Sequence, residues 1–156
     1  MSEAARAVER VTGLRQVRRY PEAERAARDA LAGDPQHAGL LLELSAALRS
    51  LDRPADGLAA ADAALAAEPE NERAYRLRAL HLSALGRHRE AVRAGYQSVT
   101  LAPEEPYAAL GYATVLNDAG RPADALATAR RATELSPTLV DGRRARTRRS
   151  SRVVRP

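Results

Sequence analysis

Apolar residues recur along this chain at three- and four-residue steps, the spacing that places side chains on one face of a helix. Leu41, Leu44, Leu48 and Leu51 follow that rule, and Arg53-Pro54 then interrupts it. Pro lacks an N–H donor and fits the first turn of a new helix. Asp56 falls in that first turn, where the helix dipole favours a carboxylate. Ala61, Ala64 and Leu65 resume the apolar face. Glu68-Pro69 ends it, because the residue before Pro disfavours the α region. Later units repeat the scheme, with Gly86 and Gly120 at first-helix ends, where a left-handed residue stops a helix at little cost. The pattern predicts eight helices and no strand over 1–137, at about 3–17, 21–33, 38–51, 55–67, 72–85, 88–101, 106–119 and 122–135.

The helices come in pairs with a fixed period. Pro35, Pro69, Pro103 and Pro137 stand 34 residues apart, as do Leu14, Leu48, Leu82 and Leu116. Arg19, Arg53, Arg87 and Arg121 keep the same step, and so do the acids Glu22, Asp56, Glu90 and Asp124. Small residues repeat as Ala23, Gly57, Ala91, Ala125 and as Ala30, Ala64, Ser98, Ala132. One short helix pair cannot bury its apolar face alone, so stacked units must share a continuous core. The Leu14 ladder, and the apolar ladder Val17, Leu51, Leu85, Ala119, are the residues expected inside.

A 34-residue helix–turn–helix unit closing in Pro resembles the tetratricopeptide repeat family. Ala74 to Pro103 (AYRLRALHLSALGRHREAVRAGYQSVTLAP) shows the likeness best, and Pro106 to Pro137 follows closely. The chain departs from the family where Ala27, Ala61, Gly95 and Ala129 replace the second-helix aromatic, and Tyr75 alone supplies the bulky aromatic early in the first helix. The resemblance implies an all-α, right-handed superhelical solenoid of four repeats. The units fall at about 4–37, 38–71, 72–105 and 106–139. They make one repeat domain over 1–137, and a basic tail over 138–156 is expected to be disordered.

Composition refines this picture. Aromatic residues are 3% of the chain, with no Phe and no Trp, so the interior is built from Ala, Leu and Val. There is no Cys, which excludes disulfides and thiolate metal sites. The net charge of +5 is not spread evenly: seven arginines and one acid fall in the tail, and the preceding body is close to neutral. Every basic residue other than His is Arg. The first thirteen residues are charged and lack the apolar core of a signal peptide, so a cytoplasmic protein without a membrane span is expected.

The chain holds no nucleophile elbow, phosphate-binding loop or HExxH motif, and no Lys to serve one. His37 precedes a helix, and His88 fills a slot that holds Tyr20, Pro54 and Pro122 elsewhere. Glu104-Glu105 stands at a helix entry, where carboxylates belong without acid–base chemistry. No enzymatic activity, cofactor or metal is expected.

The family likeness implies instead a concave surface lined by the first helices, which holds a protein or peptide. The candidate groove residues are Arg15, Leu42, Arg49, Arg73, Arg76, Leu80, Tyr107, Leu110, Thr114 and Asn117. Their guanidiniums suit carboxylates, and exposed Leu42, Leu80 and Leu110 suit apolar side chains, so an acidic–hydrophobic peptide is the expected ligand. Some family members clamp a terminal carboxylate with Lys and Asn. Val8, Thr12, Glu43, Arg73 and Leu77 occupy those places if the clamp starts in unit one, and Leu42, Ala46, Leu77, Tyr107 and Gly111 if it starts in unit two; Arg73 alone matches in charge, so no such clamp is expected. The tail admits three readings: a solvated extension, the end of a truncated gene, or a basic arm for nucleic acid. The last makes a nucleic-acid-associated protein the alternative function. A further alternative is the repeat portion of a larger enzyme or regulator.

Overall fold

The computed structural model describes residues 1–138, and the expectation for the tail lies outside these residues. Among the described residues eight helices follow in order: α1 (Glu3–Gln16), α2 (Tyr20–Gly33), α3 (Ala38–Ser50), α4 (Pro54–Ala67), α5 (Glu72–Ala84), α6 (His88–Leu101), α7 (Pro106–Asp118) and α8 (Pro122–Leu135). Each expected helix is present with ends within one residue, and the described residues form no strand.

The turn inside each unit is one device used four times. The N–H of Arg19, Arg53, Arg87 and Arg121 donates to the C=O of Leu14, Leu48, Leu82 and Leu116, six residues inclusive. One residue earlier, the N–H of Arg18, Asp52, Gly86 and Gly120 donates to Arg15, Arg49, Ser83 and Asn117. Together these bonds form a Schellman motif, which requires a left-handed residue after the helix cap. Gly86 and Gly120 meet that need with φ of 76° each, whereas Arg18 and Asp52 hold φ of 63° and 55° with side chains attached.

The arginine ladder and the acid ladder of the sequence meet at this turn. Arg53 pairs with Asp56, Arg87 with Glu90, and Arg121 with Asp124, at 2.7–2.8 Å, and Arg19 pairs with Glu22 in the same way. The hydrogen bond from Arg87 holds the Glu90 carboxyl below its usual range. The acids therefore serve both the dipole of the second helix and the arginine that begins it.

The backbones of the first helices of the units, α1, α3, α5 and α7, approach one another in succession, while among the described residues no two second helices come as close along their backbones. The first helices thus form the inner, tighter layer of the array. Between layers Leu48, Leu82 and Leu116 are each 1% exposed, and Leu14 packs partly buried against the first core cluster. The other ladder is a correction. Val17 is 65% and Leu85 38% exposed, because these positions cap the first helices and the turn carries them out of the interface.

Candidate functional site

The residues expected to line a groove lie on the inner helices α1, α3, α5 and α7, but they are not equivalent in exposure. Leu42 is buried among Leu41, Ala46, Ala61, Ala64, Ala74 and Leu77, so the expectation that it offers an exposed apolar contact is corrected. Its side chain packs within the array. Leu80, Leu110 and Thr114 are half-buried, and Tyr107, Asn117 and Arg49 are exposed.

Two of the groove arginines converge on a residue that the sequence reading did not single out for a role. Glu43 on α3 is 2% exposed. Arg15 from α1 reaches its carboxylate through Nε at 2.7 Å, and Arg73 from α5 through Nη1 at 2.7 Å. One buried acid thus joins three consecutive units. Burial pushes the Glu43 carboxyl up, but the hydrogen bond from Arg15 and the charge and hydrogen bond of Arg73 outweigh it and leave it below the usual range. The signal in the sequence was a lone acid inside the apolar run Leu40–Leu48.

Arg76 is held differently. Its Nε lies 3.0 Å from Glu72 one turn back on α5, and its guanidinium carbon sits 5.4 Å from the centre of the Tyr107 ring. Ser98 of α6 donates to the same Glu72 at 2.8 Å. A cation over an aromatic face and beside a carboxylate is fixed in place across the junction of units three and four.

Below these residues runs a cleft of about 180 Å³ between the C-terminal halves of α3, α5 and α7, walled by Arg49, Asp52, Leu80, Thr114 and Asp118. Its floor is His81, 1% exposed. The imidazole Nε2 donates to the Ser45 hydroxyl at 3.0 Å and to the Ser45 carbonyl at 3.2 Å. A carbonyl can only accept, so Nε2 is the protonated nitrogen. The Ser45 hydroxyl in turn donates to the Gly57 carbonyl at 2.9 Å. Burial lowers the His81 pKa to about 4, and the Arg49 charge adds to that fall against the backbone hydrogen bond. A second trough, of about 530 Å³, continues past Thr114 and Asp118 onto Leu110, Ala113, Ala125, Leu126 and Ala129. Ser83 fixes the Asp118 carboxylate at the junction with a 2.7 Å hydrogen bond.

The polar residues at helix entries act as caps. His37 Nδ1 accepts from Leu40 N–H at 3.2 Å, Asn71 from Ala74 at 3.0 Å, and Glu105 from Tyr107 at 3.0 Å. No helix among the described residues is long and apolar enough to cross a membrane.

Comparison with solved structures gives the same architecture. A thermophilic TPR protein of Thermus thermophilus, TTC0263, superposes with a TM-score of 0.80 at 19% identity, over 86% of this chain and 75% of that one. The fold is that of the tetratricopeptide repeat. The first TPR domain of human RPAP3 matches with a TM-score of 0.70 at 19% identity, over 78% of this chain and 95% of that domain. A fragment of MamA from Desulfovibrio magneticus RS-1 matches with a TM-score of 0.72 at 20% identity, over 87% and 77%. No protein-family model and no curated protein matches the chain. Glu43, His81 and Asp118 on the inner helices are the residues for which the sequence reading offers no role.

Proposed function

We propose that this tetratricopeptide array is a non-enzymatic interaction module that holds a segment of a partner protein along its inner face. The observation that supports this reading is the continuity of the two depressions, which share Thr114 and Asp118 and cross three units. Partly exposed Leu80 and Leu110 line them beside exposed Tyr107 and Asn117. A path of that kind accommodates an extended chain or one face of a helix, with alternate side chains entering.

The ligand is an acidic–hydrophobic segment with a defined direction. Four arginines, Arg15, Arg49, Arg73 and Arg76, stand on the inner helices of units one to three, against the carboxylates Glu43 and Glu72. Each guanidinium has five donors, more than one carboxylate oxygen consumes. The acidic residues of the segment therefore lie over units one to three, and its apolar residues over Leu80 and Leu110. Exposed ion pairs contribute about 0–1 kcal/mol each, so affinity is modest and falls as salt rises.

The test uses a photoreactive amino acid placed at Asn117 on the inner face, or at Gln97 on the outer helix α6, in cells that express the chain. A partner crosslinked from position 117 and not from 97 supports the groove. Arg49→Glu and Tyr107→Ala should then each weaken that partner several-fold. Equal crosslinking from both positions, or full binding by both variants, overturns the reading.

A further inference from the structure

The 34-residue period lets one contact be compared at each junction between units. Between units one and two it is made by Val11, Ala23 and Ala47, all buried in one apolar cluster. Between units three and four it is made by Ala79, Ala91 and Val115, again in one apolar cluster. Between units two and three the same positions hold Ser45, Gly57 and His81. All three depart from the repeat together, and all three meet. The His81 ring fills the space that a side chain at position 57 would need, and it bonds both the hydroxyl and the carbonyl of Ser45. A neutral imidazole thus stands where the other junctions have aliphatic side chains.

The junction of units two and three has two unlike halves. Towards the inter-unit loop, Leu42, Ala61, Ala74 and Leu77 share an apolar cluster, and Arg73 reaches across to Glu43 at 2.7 Å. Towards the turns inside the units stands His81, with the 180 Å³ cleft above it. Among the described residues, the charged groups that wall this cleft beside the ring are Arg49 on α3, Asp52 in the turn after α3, and Asp118 on α7. Helix α4 faces the ring with Pro54 and Gly57, which carry no charge. The cleft is built from units two, three and four, so any separation of units two and three reshapes it.

A protonated ring is costly in this place. The closed junction removes it from water, and the Arg49 charge repels it. Separation of the turn side would return the ring to solvent, beside the Asp52 and Asp118 carboxylates, which favour an imidazolium. An exposed imidazole takes up a proton below about pH 6.5, whereas the closed junction refuses it until about pH 4. The open form therefore gains on the closed one by about tenfold per pH unit as pH falls through that window, and gains nothing above it. The apolar loop side holds no histidine, and can stay shut as the turn side opens.

We propose that the junction of units two and three is an acid-operated hinge, which pivots on its apolar loop side and opens on the turn side where Ser45, Gly57 and His81 meet. The apolar junctions before and after it stay closed, so the array bends as two halves. The hinge is a property of the chain alone and does not depend on the groove reading.

The chain has no Cys, so pairs of introduced cysteines can carry spin labels without background. Ala55 and Arg89 are exposed, equivalent positions at the turn-side ends of α4 and α6. Ala67 and Leu101 are their counterparts at the loop-side ends, and Arg89 and Ala123 span the next junction on its turn side. The three doubly labelled full chains are compared by double electron–electron resonance at about pH 7.5 and about pH 4.5. A longer-distance population between positions 55 and 89 should grow by about tenfold or more on acidification. The 67–101 and 89–123 distances should stay unchanged. Ser45→Ala, Gly57→Ala and His81→Val together install the residues found at Ala79, Ala91 and Val115, and should abolish the growth. Circular dichroism melts check that this variant stays folded. No growth at 55–89, equal growth in all three pairs, or growth that survives in the folded triple variant overturns the hinge.

Discussion

Gly57 and His81 occupy each other's space: a Cβ built on Gly57 of α4 would lie 2.2 Å from Cε1 of the His81 ring on α5. The notch admits an imidazole into the junction of units two and three, where it bonds Ser45 on α3. Gly57→Ala should therefore destabilise the array by about 1–3 kcal/mol through overpacking, despite the better helix propensity of Ala. In a His81→Ala background the same substitution should change sign and stabilise slightly. Urea unfolding of the four proteins in that cycle checks the coupling.

Acid should act on the same junction. The His81 pKa falls from 6.5 to about 4 on folding. The unfolded chain then takes up a proton below about pH 6.5 that the folded chain refuses until about pH 4. Stability is complete above pH 6.5 and is lost as pH falls through that window, by about 3 kcal/mol for this group. His81→Val, which installs the residue found at Val115, should flatten the pH profile between 6.5 and 4 in denaturation experiments. Glu43, held below the usual carboxylate range, adds a further loss at lower pH as its own proton is taken up.

The Arg15–Glu43–Arg73 cluster should respond asymmetrically. Removing both arginines leaves a carboxylate that is 2% exposed with neither of its ion partners, at a cost of about 3–5 kcal/mol. Glu43→Ala should cost less, because the arginine side chains are 24% and 35% exposed and can turn to water. Adding Glu43→Leu to the double arginine variant should recover most of the loss. Chemical denaturation midpoints rank the variants.

The left-handed turn residues give a stabilising substitution. Arg18 at φ 63° bears a strain that Gly86 and Gly120 avoid at the equivalent turns. Arg18→Gly should raise stability by up to about 1 kcal/mol, the gain being reduced by the greater freedom of Gly in the unfolded chain. Asp52→Gly should gain less, because Asp tolerates this region better. Thermal melts detect both, and a drop for Arg18→Gly would mean that its side chain contributes more than its backbone costs.

Position in the sequence did not by itself separate the two apolar ladders. Leu82 and Leu85 are both aliphatic and belong to ladders that run through every unit, yet one is 1% and the other 38% exposed. Leu82 lies on the inward stripe of α5, and Leu85 caps the helix, where the chain has begun to turn away. Periodicity records that a position is apolar and cannot say which side of a turn faces the neighbouring unit.

The sequence alone determined the number, kind and limits of the helices and the order of the units, because these rest on local rules. Apolar spacing, Pro at helix starts and a left-handed residue after each first helix act within a few residues, and the 34-residue period repeats them. The choice of Arg49, Tyr107, Thr114 and Asn117 as groove residues came from the family resemblance and not from these local rules. Only the tertiary structure decided that Arg15 and Arg73 meet over Glu43, 28 and 30 positions away in the chain. It likewise set His81 against Gly57 and left Leu126 uncovered while Leu42 was enclosed. These outcomes depend on how neighbouring units approach one another, and close packing turns a single side-chain volume or charge into a choice of partner that no local pattern encodes.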